Sequence, residues 1–186
     1  MRARVACMAQ IKLKNEQLPG IAGLFDYRPE TAKPMRELAE ILLRGPSSLT
    51  SGERELIAAA VSNWNDCHFC RSSHGAAAAA HLKTGIRLLD DIRDGLRETA
   101  VSAKIKALLK LAHKVQQGGR EVTTVEIDTA KSAGASDSEI HDTVLIAAAF
   151  CMYNRYVDGL GTWAPEPKEA YIEVGSRLAS TGYLNT

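Results

Sequence analysis

The 186-residue chain lacks an excess of charge of either sign: 23 Lys and Arg against 22 Asp and Glu leave a formal charge of +1. No basic surplus is available for a phosphate backbone or an anionic membrane surface, so neither nucleic acid nor a membrane is an expected partner. Long apolar runs are also missing. The longest, around Leu145 to Tyr153, falls far short of the roughly 20 residues that a spanning helix needs. Near the start, Arg2, Arg4, Lys12 and Lys14 flank only a few apolar residues and no small-residue cleavage site follows. A secretory signal is therefore not expected, and the expected location is cytoplasmic. Cysteine is scarce: of four, only Cys67 and Cys70 are close in sequence. That spacing excludes a secreted disulfide framework and points to a redox or metal pair in a reducing compartment.

What is present is sufficient for one domain. Hydrophobic residues make up 45% and charged residues 24%, and the length allows a sizeable core without staples. The first thirty residues, with Pro19, Gly20, Gly23 and Pro29, carry no sustained helical period and read as an extended arm and loop. Beyond them the strong signals are all helical. Met35, Leu38, Ala39 and Leu42 repeat at helical spacing up to Gly45-Pro46. Thr50 with Glu53, Thr123 with Glu126 and Ser136 with Glu139 have capping-box spacing. An alanine-rich helix is expected from Cys67 to about Thr84, ending at Gly85, and another through Ile105, Leu108, Leu109 and Ala112 to Gly118. The helix after Ser136 is apolar nearly all round from Val144 to Met152, which suits a central position or a subunit interface. A last helix follows Pro165 and Pro167, with Ala170, Val174 and Leu178 on one side. The stretches Leu49 to Val61 and Ala135 to Ala149 share a cap and an Ile-Ala-Ala-Ala run, a faint hint of duplication.

On one helix Cys67, Cys70 and His74 stand at i, i+3 and i+7, on one face. Cα atoms three apart are roughly 5 Å from each other, within the range a disulfide tolerates. A thiol with a pKa about 8.5 is about 3% ionised at pH 7, and lowering it to about 6.5 gives a roughly 25-fold gain in thiolate. A thiolate that attacks a peroxide becomes a sulfenic acid, a second cysteine can condense with it, and an external dithiol can reset the pair by exchange. Helix-start electrostatics favour Cys67 as the thiolate. Glu55 lies opposite the stripe Leu56, Ala60 and Trp64, on a side with small Ala59 and Ser62. It reads either as a carboxylate held near His74 or a thiol, or as a solvated charge.

The combination Glu55, Cys67 twelve positions later, Cys70 and His74 resembles the Glu-x(11)-Cys-x-x-Cys-x-x-x-His pattern of the AhpD-like alkylhydroperoxidase and carboxymuconolactone decarboxylase superfamily. Tyr27-Arg28-Pro29-Glu30-Thr31, Leu43-Arg44-Gly45-Pro46 and Asn154-Arg155 resemble its peroxidase-related subgroup, so the resemblance runs from about Pro19 onward. It implies an all-α, AhpD-like helical domain over residues 31–186 behind an N-terminal arm and loop over 1–30. It also implies Cys70 as the peroxide-attacking nucleophile, Cys67 as the resolving thiol, Glu55 and His74 as a proton relay, a hydroperoxide substrate, an external dithiol or protein reductant, and a homo-oligomer. No bound cofactor is required. Decarboxylases of the superfamily typically lack the dithiol, so the cysteines favour redox chemistry. One departure stands out: the better known peroxidases have a histidine immediately before the second cysteine, where this chain has Phe69. His68, a further catalytic candidate, is one residue earlier and about 100° away around a helix.

Other readings accompany these. The dithiol could serve thiol-disulfide exchange, or switch a redox-sensing interaction protein without efficient peroxidase activity. Zinc could use Cys67, Cys70 and His74, although His81, a heptad further along, cannot complete a tetrahedron from one rigid helix. Covalent haem attachment is disfavoured because Arg71 follows Cys70. His81, His113 and His141 have no constellation around them. Cys7 falls in the arm, Cys151 continues the apolar stripe of Ile140, Val144 and Ala147, and Trp64 and Trp163 read as packing residues. Asn154 and Arg155 suit capping or a salt bridge as well as a pocket wall.

Overall fold

The computed structural model describes residues 9–97 and 101–184; Cys7 lies outside them. Among the described residues there are nine α-helices, two short 3-10 turns and no strand: α1 Gly20–Tyr27, α2 Pro29–Arg44, α3 Ser51–Trp64, α4 His68–Leu82, α5 Leu88–Arg93, α6 Ala103–Gln117, α7 Thr124–Ser132, α8 Asp137–Gly159 and α9 Ile172–Thr181. No helix among them is long and apolar enough to cross a membrane.

Capping chemistry opens several of these helices. All three expected capping boxes are formed, at Thr50, Thr123 and Ser136, each satisfying two otherwise orphaned N–H groups. Two boundaries differ from the expectation. α4 stops at Leu82 because Lys83 adopts a left-handed conformation (φ 55°), two residues before Gly85. Residues 20–27, read as loop, form α1: Leu24 and Phe25 are buried there, and this packing outweighs the helix-weakening glycines. Gly20, at φ +54°, lies against the Phe69 ring, and a Cβ would fall 2.3 Å from its carbons. α5 had no clear signal; its six residues bury Leu88, Leu89 and Ile92 against the body.

The centre of the fold is α3 against α4, with α8 and α6 packed on α3 and α9 packed on α4. Small residues permit this closeness. Ala58, Ala59 and Ala60 on α3 and Ala77 and Ala78 on α4 are buried, and a Cβ on Gly175 of α9 would lie 2.5 Å from the Ala76 carbonyl carbon. Buried Arg54 donates from one nitrogen to the Leu42 and Gly45 carbonyls at 3.0 and 2.9 Å, tying the end of α2 to the start of α3. Along α8, Ile146, Ala147 and Phe150 face the core, whereas Leu145 and Met152 are 39% and 45% exposed. The last helix carries Val174 and Leu178 against the body, while Ala170 stays exposed in the preceding 3-10 turn.

Candidate active site

The dithiol is placed by a tight reversal between α3 and α4. Asp66 turns the chain at φ 58°, a conformation that Asp tolerates better than most residues, and the Cys67 N–H donates to the Ser62 carbonyl at 2.9 Å. A side-chain network fixes this turn. Buried Asn154 of α8 accepts from Asn65 Nδ2 at 2.8 Å and donates to Ser62 Oγ at 3.0 Å. Gln116 of α6 donates to Asn65 Oδ1 at 3.0 Å. Neighbouring Arg155 turns outward and donates to the Cys151 carbonyl.

Cys67 is the residue before α4 and Cys70 is its third residue. Both are buried free thiols, packed with Val157. The pair is electrostatically unequal. Cys67 is pushed far up, first by the hydrogen bond its S–H donates to Cys70, then by burial and by the negative charge Cys70 can carry. Asp158 of α8 reaches the same thiol; partial burial raises its carboxyl, and the bond from Cys67 lowers it.

His74 follows Cys70 by four positions and shares its face of α4. Its Nδ1 donates to Glu55 Oε2 at 2.8 Å, which leaves Nε2 as the ring nitrogen outside that bond. Glu55 is fully buried, so the solvated reading of this carboxylate does not hold. Its other oxygen accepts a short hydrogen bond from the Tyr183 hydroxyl. Tyr183 also stacks on the His74 imidazole at 5.9 Å, and Phe150 meets that ring edge-on at 4.5 Å. Burial is the main cause holding the Tyr183 phenol well above its ordinary value, followed by the charge of Glu55. Thus a buried carboxylate shared by an imidazole and a phenol stands behind the dithiol helix.

Tyr183 was not foreseen. Three features at the end of α9 bring it in: Arg44 donating to the Leu178 and Ala179 carbonyls in its last turns, Gly182 at φ +74°, and the Tyr183 N–H donating to Glu40 Oε2 at 2.7 Å. A lone tyrosine near a chain end carries no local periodicity that could reveal such a contact.

His68 is elsewhere. Its Nε2 donates to the Pro165 carbonyl at 2.8 Å, and its Nδ1 accepts from Arg71 at 3.1 Å, so the ring joins the segment before α9 to α4. As the first residue of α4 it points about 200° around the helix from Cys70, the third. Among the other histidines, His113 packs against Trp64, His141 lies beside Asp142, and burial lowers His81. Among the described residues no three His, Cys, Asp or Glu side chains converge as metal donors.

A cavity of about 130 Å3 opens onto this site. Cys70, Ser73, His74 and Tyr183 line it together with Phe69, Phe150 and Tyr153, while Cys67 does not. One sulfur of the pair therefore faces the cavity and the other lies behind it.

A family model described as the carboxymuconolactone decarboxylase family matches residues 29–90. No curated protein matches the chain in sequence. Among solved structures, the fold is similar to an alkylhydroperoxidase AhpD core, an uncharacterized peroxidase-related protein from Ralstonia eutropha JMP134. The TM-score is 0.77 at 20% identity, covering 91% of this chain and 97% of that one. An uncharacterized peroxidase-related protein from Silicibacter sp. TM1040 gives 0.74 at 21% identity, covering 92% and 97%. A protein of unknown function from Agrobacterium tumefaciens gives 0.66 at 20%, covering 77% and 97%. The fold is AhpD-like, and residues 29–90 resemble the carboxymuconolactone decarboxylase family. In this AhpD-like chain the matched segment holds Glu55, Cys67, Cys70 and His74. The opposite wall of the cavity, with Phe150, Tyr153, Val174, Leu178 and Tyr183, lies outside it.

Proposed function

We infer that the protein is a dithiol peroxidase in which Cys70 attacks a hydroperoxide, Cys67 resolves, and Glu55 and His74 relay the proton with Tyr183 holding them. The observation that carries this reading is that Cys70 and His74 line one cavity while Cys67, outside its lining, is buried beside Cys70. His74 Nε2 takes the Cys70 proton, and the resulting imidazolium is stabilised by the Glu55 carboxylate at Nδ1. The Cys70 thiolate attacks the terminal oxygen of R–O–O–H. The S–O bond forms, the O–O bond breaks, and His74 returns its proton to the departing alkoxide as R–OH. Cys67 then attacks the sulfenic sulfur, giving a disulfide and water, and an external dithiol or protein reductant restores both thiols.

The arrangement of His68 favours a second reading, thiol-disulfide exchange with little peroxide reduction, because no histidine from within the pair assists Cys70. Anaerobically pre-reduced protein and an organic hydroperoxide separate the two. Consumption of one hydroperoxide per disulfide formed, absent in Cys70→Ser, is the expected result. Consumption no greater than that of Cys70→Ser, with disulfide exchange retained, overturns the peroxidase reading. The exposed Leu145 and Met152 on α8 support a homo-oligomer, and a closely spaced Cys67–Cys70 pair without a wider cysteine framework suits a reducing compartment and so a cytoplasmic location.

A further inference from the structure

The cavity has two chemically different ends. Cys70, Ser73, Phe150 and Tyr153 are buried and form its deep part, whereas Arg177 is exposed and Arg36 half-buried. Arg36 also lines an outer groove with Phe25, Lys33 and Glu37, which fixes it at the mouth. Between these ends the lining is mostly apolar, and no carboxylate reaches it.

Two polar groups in this lining have no partner. Ser73 Oγ is buried without a hydrogen bond, one helical turn from Cys70. Arg36 Nε is likewise buried and unbonded, although its guanidinium lies 5.0 Å from the centre of the Phe25 ring. Neither Arg36 nor Arg177 has a carboxylate partner among the described residues. Buried polar atoms are nearly always satisfied, so two exceptions in one cavity indicate groups that a ligand completes. A hydroxyl beside the reactive sulfur suits the oxygens of a hydroperoxide. Cations at the mouth suit an anion, for which a guanidinium offers paired donors.

Size limits the rest. A volume of about 130 Å3 is close to the ~150 Å3 of an apolar cavity that accepts benzene. Resting on the peroxidase reading, we propose that the substrate is a compact aryl or branched-alkyl hydroperoxide bearing a carboxylate. Its O–O group lies at Cys70 and Ser73, its apolar body against Phe69, Phe150 and Tyr153, and its acid at Arg36 and Arg177. Ser73, Arg36 and Arg177 are recognition residues in this arrangement and take no part in the bond exchange.

Binding of a redox-inert pair tests this without requiring turnover. 4-Isopropylbenzoate and 4-isopropylbenzamide share shape and apolar area and differ in charge. Calorimetry on the reduced full-length chain should give the benzoate at least roughly tenfold the affinity of the amide. That preference should fall toward one in Arg36→Gln/Arg177→Gln, with amide affinity unchanged, and should persist in Cys70→Ser. Arg177→Gln alone, at an exposed position, should reduce the preference even if the double variant does not fold. Equal binding of acid and amide, or a preference untouched by both variants, overturns the proposal. Selective benzoate binding without consumption of any hydroperoxide supports this site and removes the peroxidase reading. Hydroperoxide consumption without selectivity for the acid does the reverse.

Discussion

Replacing Tyr183 by Phe removes one hydroxyl and keeps the ring that stacks on His74. Glu55 then remains fully buried with Oε1 stripped of its donor, while Oε2 keeps the imidazole N–H. A hydrogen bond to a buried charged acceptor is worth about 1.5–3 kcal/mol. For a chain of this size each 1 kcal/mol moves Tm by about 2–4 °C, so a fall of about 4–8 °C is expected for a loss of about 2 kcal/mol. Tyr153→Phe is the internal control: that phenol is equally buried but donates at 2.8 Å to a neutral carbonyl, of Met35, and its loss should cost about 1 kcal/mol. Calorimetric melts of both variants at neutral pH, with the thiols reduced, read the difference. The same change should act on chemistry, since Glu55 then bonds the His74 imidazole without its second donor. The rate of Cys70 alkylation at neutral pH should therefore change in Tyr183→Phe and stay in Tyr153→Phe. A Tm for Tyr183→Phe within about 1 °C of wild type, or a larger loss in Tyr153→Phe, refutes the shared-carboxylate account.

Three further outcomes follow from the same geometry. In a Cys7→Ser/Cys151→Ser background, iodoacetamide at pH 8 should modify Cys70 first and Cys67 only after unfolding, because Cys70 lines the cavity and Cys67 is buried with its thiol pushed up; peptide mapping that finds Cys67 modified first contradicts the assigned roles. Alkaline stability should fall from about pH 10 upward. Tyr153 is pushed up to about 12, and Tyr171 and Tyr183 are also raised, all chiefly by burial. These phenols stay protonated in the fold while the unfolded chain ionises near pH 10, so their contribution is complete below that pH and is lost as pH rises through the folded values. Each costs about 1.4 kcal/mol per pH unit in that window, and denaturant midpoints that stay constant from pH 9 to about 12 would count against buried phenols. Gly175→Ala should destabilise by at least about 1–3 kcal/mol, since its Cβ would lie 2.5 Å from the Ala76 backbone; an unchanged melt would show that α9 does not pack there.

The sequence made some parts of this architecture legible for identifiable physical reasons. Capping boxes depend on residues three apart, and all three formed where Thr50, Thr123 and Ser136 indicated. The spacing of Cys70 and His74 likewise carried through, because four residues on a regular helix leave little freedom. Features that depend on distant packing were less legible. α1 contains two glycines and has no strong period, and it is helical because Leu24 and Phe25 are buried. Glu55 illustrates the same limit. Its place on α3 was evident, but its burial requires partners from α4 and from the chain after α9, 19 and 128 residues away.

His68 shows how local geometry and distant contacts combine. Its helical position already turned it away from Cys70, whereas its hold on the Pro165 carbonyl and on Arg71 was invisible without the fold. That hold gives the site a second support. Tyr171 donates to the same Pro165 carbonyl at 2.9 Å and meets both His68 and Phe69 edge-on. The segment leading into α9 is thus fastened to α4 beside the dithiol, and α9 in turn leads to Tyr183. Pro165, Tyr171 and Tyr183 all lie beyond the segment that carries the family motif. The dithiol, Glu55 and His74 are held within α3 and α4, but the cavity over Cys70 exists only when the last helix is docked. A change that frees the chain after Pro165 should therefore spare the thiols and their spacing while removing the shaped, partly dry environment in which His74 and Glu55 act.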